Sequence, residues 1–134
     1  MLDGGVLEDN PLLRIGILEA GCGWLPYWLW RLDEVEYRKL GPEVAARVRK
    51  PPSSYFRSQC WIAVEAGEPL LDGVVACVGP DRFVFGTDFP HLDHDMDWLD
   101  QRAGSLALDA SVLRGIYWDN PLRLLGLRAP GSES

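Results

Sequence analysis

An α/β fold built on a parallel sheet is the class this sequence predicts, on three observations. Three short apolar runs stand well apart along the chain; the first two run directly into a glutamate, and the third reaches an aspartate after a glycine and a threonine. None alternates strictly between apolar and polar residues, which is the signature of strands covered on both faces. A helical pattern follows each run, and strand–helix alternation of this kind calls for parallel strands joined by right-handed crossovers.

Taken in order, the first strand is expected over Leu13 to Leu18 (LRIGIL), ending at Glu19. The turn Gly21-Cys22-Gly23 then leads into WLPYWLWRLDEVEYRKL, where Leu25, Trp28, Leu29 and Leu32 recur at helical spacing and Pro26 suits a first turn. On this stripe Trp28 and Leu32 are expected in the core. Gly41-Pro42 closes the helix, a short one is expected over Glu43 to Val48, and Pro51-Pro52 reads as a chain break. The second strand is Cys60 to Val64 (CWIAV), ending at Glu65, with Trp61 a further core residue. Leu70, Leu71, Val74, Val75 and Val78 share one face of a helix over Pro69 to Val78, closed by Gly79-Pro80. The third strand, Arg82 to Phe85, runs into Gly86, Thr87 and Asp88. Helices are expected over Asp109 to Tyr117 and Asn120 to Leu125, before a Pro/Gly/Ser-rich tail, residues 128–134, that should fray.

Composition narrows the function. With 134 residues, 47% of them hydrophobic and 25% charged, the chain fits one domain over residues 1–127. A net charge of −7 argues against nucleic acid as a partner, since phosphate binding needs a basic patch. No apolar run approaches the roughly 20 residues that span a bilayer. The three cysteines show no paired spacing, so a reducing, cytoplasmic setting is expected rather than a disulfide framework. Three parallel strands alone leave two open edges, which calls for a covering partner: a second copy, or further chain.

Four segments together carry a resemblance: LEAGCGWLPYWLWRLDE, SSYFRSQCWIAVE, FGTDFPH and NPLRLLGL. In this order and spacing the chain resembles the amidohydrolase-related family of metal-dependent (β/α)₈ barrels, in the branch similar to aminocarboxymuconate-semialdehyde decarboxylase. The resemblance implies that the chain is the C-terminal part of such a barrel, comprising its last three strands, with Met1 inside the helix before the sixth. It also implies a hydrolase or decarboxylase of small carboxylated or ring-derived substrates, with a divalent metal, usually zinc, as cofactor. Family members take metal ligands from an H-x-H pair on the first strand and a histidine on the fifth. This chain has only His91 and His94, so those ligands would come from the N-terminal half of the barrel. Many members also have a histidine at the end of the sixth strand, where Glu19 stands here, as it does in a subset of the family.

Asp88, at the end of the last strand, is the expected metal ligand and a proton-transferring catalytic residue. A cap on the following turn is the local alternative. Glu19 is the second catalytic candidate, as a base, weak ligand or substrate contact. Alternatively, its carboxylate is held by the amides of the Gly21–Gly23 turn. Trp24 and His91 are expected to bind substrate. Glu65 reads as an ordinary exposed acid, Cys22 as structural, and HLDHDMDW as a solvated acidic loop that lacks the pattern of a calcium site. A second class of function also stands: a non-catalytic remnant that self-associates through its sheet edges.

Overall fold

Strands β1 (Ile15–Ile17), β2 (Cys60–Val64) and β3 (Phe83–Phe85) form one sheet in that order in the computed structural model, which describes residues 4–65, 67–87 and 108–130. All pairings are parallel, with Ile15 beside Cys60, Ile17 beside Ile62, Ile62 beside Phe83 and Val64 beside Phe85. The predicted α/β class with a parallel sheet is therefore present. Every residue of β2 is buried, which is why its sequence shows no alternation. At the β1 edge Gly16 is exposed and its two neighbours are half-buried.

The two-residue period of a strand divides these side chains between two cores. Ile62, Val64 and Phe83 face the helices and join a cluster with Leu25, Leu29, Tyr55, Phe56, Leu71, Val74, Val75 and Ile116. Trp61, Ala63 and Val84 point to the opposite face, where Leu124 covers them. Arg82 lies over the Trp61 ring at 4.8 Å.

The helices are α1 (Val6–Asp9), α2 (Leu25–Arg31), α3 (Pro42–Ala45), α4 (Pro52–Gln59), α5 (Leu71–Val78), α6 (Ala110–Arg114) and α7 (Asn120–Leu125). The helix expected to run from Leu25 toward Leu40 begins as α2, then widens into a π-helical turn over Leu32–Glu36 and tightens to a 3₁₀ turn over Tyr37–Lys39. A second π-helical turn, Gly115–Asp119, joins α6 to α7.

Two sequence expectations are corrected. Pro51-Pro52 does not break the chain; it starts α4. Pro52 lacks only a hydrogen that the first turn of a helix leaves unpaired in any case. The Ser53 amide donates to the Asp33 carboxylate at 2.9 Å, and Gln59 at the far end donates to the Asn10 carbonyl at 2.7 Å. Trp28 is not a core residue: it is 48% exposed, and Leu32 is only partly covered. Both line an apolar groove of about 220 Å³ on the helix side of β1, with Ile15, Ile17, Leu25 and Phe56. The helical stripe of Leu25, Trp28, Leu29 and Leu32 faces this groove, which is open.

Tertiary polar contacts fix the layers. The Tyr55 hydroxyl donates to Glu8 and accepts from the Arg49 and Lys50 amides at 3.0 and 3.1 Å, tying α1 to the entry of α4. Asn120 donates to the Pro80 and Phe83 carbonyls, each at 2.9 Å, pinning α7 beneath the start of β3.

Candidate active site

In a parallel sheet all strands exit on one side, and adjacent strands sit about 4.8 Å apart. The exits of β1 and β3 therefore flank that of β2. Glu19 lies two residues beyond β1 and Glu65 directly follows β2. Asp88, three residues beyond β3, lies outside the described residues, as do His91, His94, the HLDHDMDW loop and residues 131–134 of the tail.

Glu19 sits in the left-handed backbone region, at φ 54°. That conformation costs a non-glycine residue on the order of 1–2 kcal/mol. The side chain is exposed, and its carboxylate makes no hydrogen bond or ion pair among the described residues. Glu65 is an exposed acid, as expected.

The Gly21–Gly23 turn does not hold Glu19, which corrects the local reading of that residue; it holds Glu68. The Glu68 Oε1 accepts from the Cys22 amide at 2.5 Å and the Gly23 amide at 2.7 Å. The Cys22 thiol donates to Oε2 at 3.2 Å, and the Glu65 amide approaches the same oxygen at 3.4 Å. Glycine at 21 matters here: its φ is 57°, and a Cβ would lie 3.0 Å from Oε1. Burial pushes the Cys22 thiol far above its usual range, and the neighbouring Glu68 carboxylate adds to the effect, so the sulfur stays protonated and donates. Cys22 is accordingly structural. Trp24 ties the same loop from the other side, its indole N–H donating to the Ala20 and Gly21 carbonyls at 2.9 and 3.0 Å. Its ring lines the apolar groove beside β1.

Sequence reasoning missed Glu68. Its partners on the turn lie 45 and 46 residues away, and nothing local distinguishes it from a surface acid. The one available signal was the pair of glycines flanking Cys22, which marks a turn with amides open to an anion.

Among the described residues, no three His, Cys, Asp or Glu side chains gather into a set able to hold a metal. No helix among them is long and apolar enough to cross a membrane.

Comparison with known proteins gives the class. The family model described as Amidohydrolase matches residues 1–127. The chain belongs to the amidohydrolase family. Its relatives include the gamma-resorcylate decarboxylase of Rhizobium sp. (strain MTP-10005), 31% identical over 105 residues, covering 74% of this chain and 31% of that protein. The gamma-resorcylate decarboxylase of Polaromonas sp. (strain JS666 / ATCC BAA-500) is 26% identical over 133 residues, covering 95% and 38%. An amidohydrolase structure from Mycobacterium avium subsp. paratuberculosis K-10 superposes with a TM-score of 0.76 at 26% identity, over 94% of this chain and 31% of that one. The dihydroxybenzoic acid decarboxylase of Polaromonas sp. JS666, solved with manganese and 2-nitroresorcinol, shares the fold with a TM-score of 0.74 at 22% identity, over 99% and 40%. The chain thus spans about a third of the length of the relatives it matches.

Proposed function

We propose that this chain is the C-terminal part of a metal-dependent decarboxylase barrel acting on a small aromatic carboxylate. The observation that carries this reading is the likeness to gamma-resorcylate decarboxylases, which extends through 133 residues and includes the strand exits. In this reading β1, β2 and β3 are the last three strands of a (β/α)₈ barrel, whose site lies at the exits of its strands. The rest of the barrel lies in the N-terminal portion of the enzyme.

Two carboxylates of this chain have the chemistry for the site. Asp88 serves as metal ligand and proton-transferring group, and Glu19 as a second carboxylate toward substrate, with Trp24 and His91 as substrate contacts. Decarboxylation of an aromatic acid needs a proton delivered to the ring carbon that bears the carboxylate. The C–C bond then breaks, carbon dioxide leaves, and the bonding pair restores the ring. A divalent metal, zinc or manganese, would be completed by ligands outside this chain, because a catalytic site needs about three protein ligands and the described residues form no such set. Hydrolysis is the neighbouring chemistry that the same carboxylates serve. The self-associating remnant finds no support among the relatives.

The test is co-expression of this chain with the N-terminal portion of the Polaromonas decarboxylase that it does not match. A one-to-one complex should bind a divalent metal and release carbon dioxide from a dihydroxybenzoate, and Asp88→Asn should abolish metal uptake. Failure to form the complex sinks the barrel-part reading. Full metal stoichiometry in Asp88→Asn sinks the ligand assignment.

A further inference from the structure

We propose that Glu68 is a positioning residue: its carboxylate, delivered from the loop between β2 and α5, locks the turn after β1 and so sets the place of Glu19. The inference rests on the reading of Glu19 as a site residue.

Glu19 holds a left-handed backbone without being glycine, and such a conformation persists only where the surroundings over-determine it. The residues that follow supply that determination. Three and four positions on, the Cys22 and Gly23 amides converge on one carboxylate oxygen of Glu68. Between them and Glu19, the Ala20 and Gly21 carbonyls receive the Trp24 indole N–H. The turn is therefore fastened through its amides by a neighbouring loop and through its carbonyls by Trp24, the residue just before α2. Glu19 is the first residue upstream of both fastenings, and among the described residues its carboxylate makes no hydrogen bond or ion pair.

The chemistry of Glu68 fits holding rather than proton transfer. Each carboxylate oxygen takes a pair of protein donors: Oε1 the two amides, and Oε2 the Cys22 thiol and the Glu65 amide. Hydrogen bonds to an ionised acceptor are roughly twice as strong as neutral ones. A glutamine would keep one accepting oxygen but turn an NH₂ group toward either the thiol and Glu65 or the two turn amides. One pair of donors would then meet a donor.

The first measurement follows hydrogen exchange at the Cys22 and Gly23 amides of the full chain. Both should exchange slowly, and both should lose that protection in Glu68→Ala. Free exchange of either amide in the unmodified chain, or unchanged protection in Glu68→Ala, overturns the clamp. The second measurement uses the co-expressed barrel. Glu68→Gln should lower kcat at least tenfold while KM stays within about twofold and Tm within a few degrees. Cys22→Ala, which removes only the thiol contact, should retain kcat within about twofold. Full kcat in Glu68→Gln overturns the positioning role and leaves the decarboxylase reading intact. An inactive unmodified barrel overturns that reading and the role together. Should Glu68→Gln fail to fold, Glu68→Asp, which withdraws the carboxylate by one methylene, must show the same loss of kcat, and full kcat there is equally fatal.

Discussion

Buried amides persist in folded proteins when each donor and acceptor finds a partner, and Asn120 meets that condition while only 1% exposed. Its Nδ2 serves two backbone carbonyls around β3, and its Oδ1 accepts from Arg123 at 3.1 Å. Asn120→Ala removes the donors and leaves both carbonyls without them, at roughly 1–3 kcal/mol for each unsatisfied group. Urea denaturation should report a loss of about 3 kcal/mol, and a loss below about 1 kcal/mol would mean that water replaces the amide. Asn120 was legible in the sequence only as the first residue of a helix, because its partners lie 37 and 40 residues away. Glu68 was invisible for the same reason. The position of Glu19 just beyond a strand was legible, because it follows from local pattern alone, without knowledge of what surrounds it.

At the scale of the element, local signals decided most of what could be read. Asn120–Leu125 matches its expected bounds because proline stands in its first turn and glycine just past its end, the arrangement that starts and stops a helix. Gly126 adopts φ 70°, and the Leu127 amide returns to the Leu122 carbonyl at 2.8 Å, closing the helix in a Schellman turn. Gly126→Ala therefore meets backbone strain of about 1–2 kcal/mol. The new Cβ would also lie 2.4 Å from the Arg14 guanidinium. That group ends a flexible side chain and can swing away, so backbone strain sets the cost. Gly126→Ala should lower stability by about 1–2 kcal/mol in chemical denaturation, and Arg14→Ala should not rescue it; full rescue would assign the cost to the clash instead. By contrast, α4 was not legible, because a diproline reads as a break until Asp33, 20 residues away, is seen to satisfy the Ser53 amide. The exposure of Trp28 was not legible either: periodicity names a face of a helix but not whether anything covers it.

At the scale of the whole molecule, the polar groups enclosed by the fold give it an alkaline limit. Burial raises the Cys22 thiol far above its ordinary range, and Glu68 reinforces the shift. Burial also pushes Cys60 up to about 11, against the charge of Arg82. Tyr55 is raised by burial and by its bond to Glu8, although the Lys50 and Arg49 amides pull the other way. An unfolded thiol ionises near pH 8.5 and an unfolded phenol near pH 10. Above those values the unfolded chain releases protons that the folded chain retains, so stability falls as pH rises. Each such group has its full stabilising effect below its unfolded pKa and loses it as pH climbs toward its folded one. The loss is up to about 1.4 kcal/mol per pH unit for each group. Urea denaturation from pH 7 to pH 10.5 should show a plateau that bends downward above about pH 8.5 and steepens above pH 10. Cys60→Ala should start lower at pH 7, having lost packing in the core, yet decline less steeply between pH 8.5 and 10. An unchanged slope in that variant would show that Cys60 ionises as readily in the folded chain as in the unfolded one, and that β2 is not closed to water where Cys60 meets the helices.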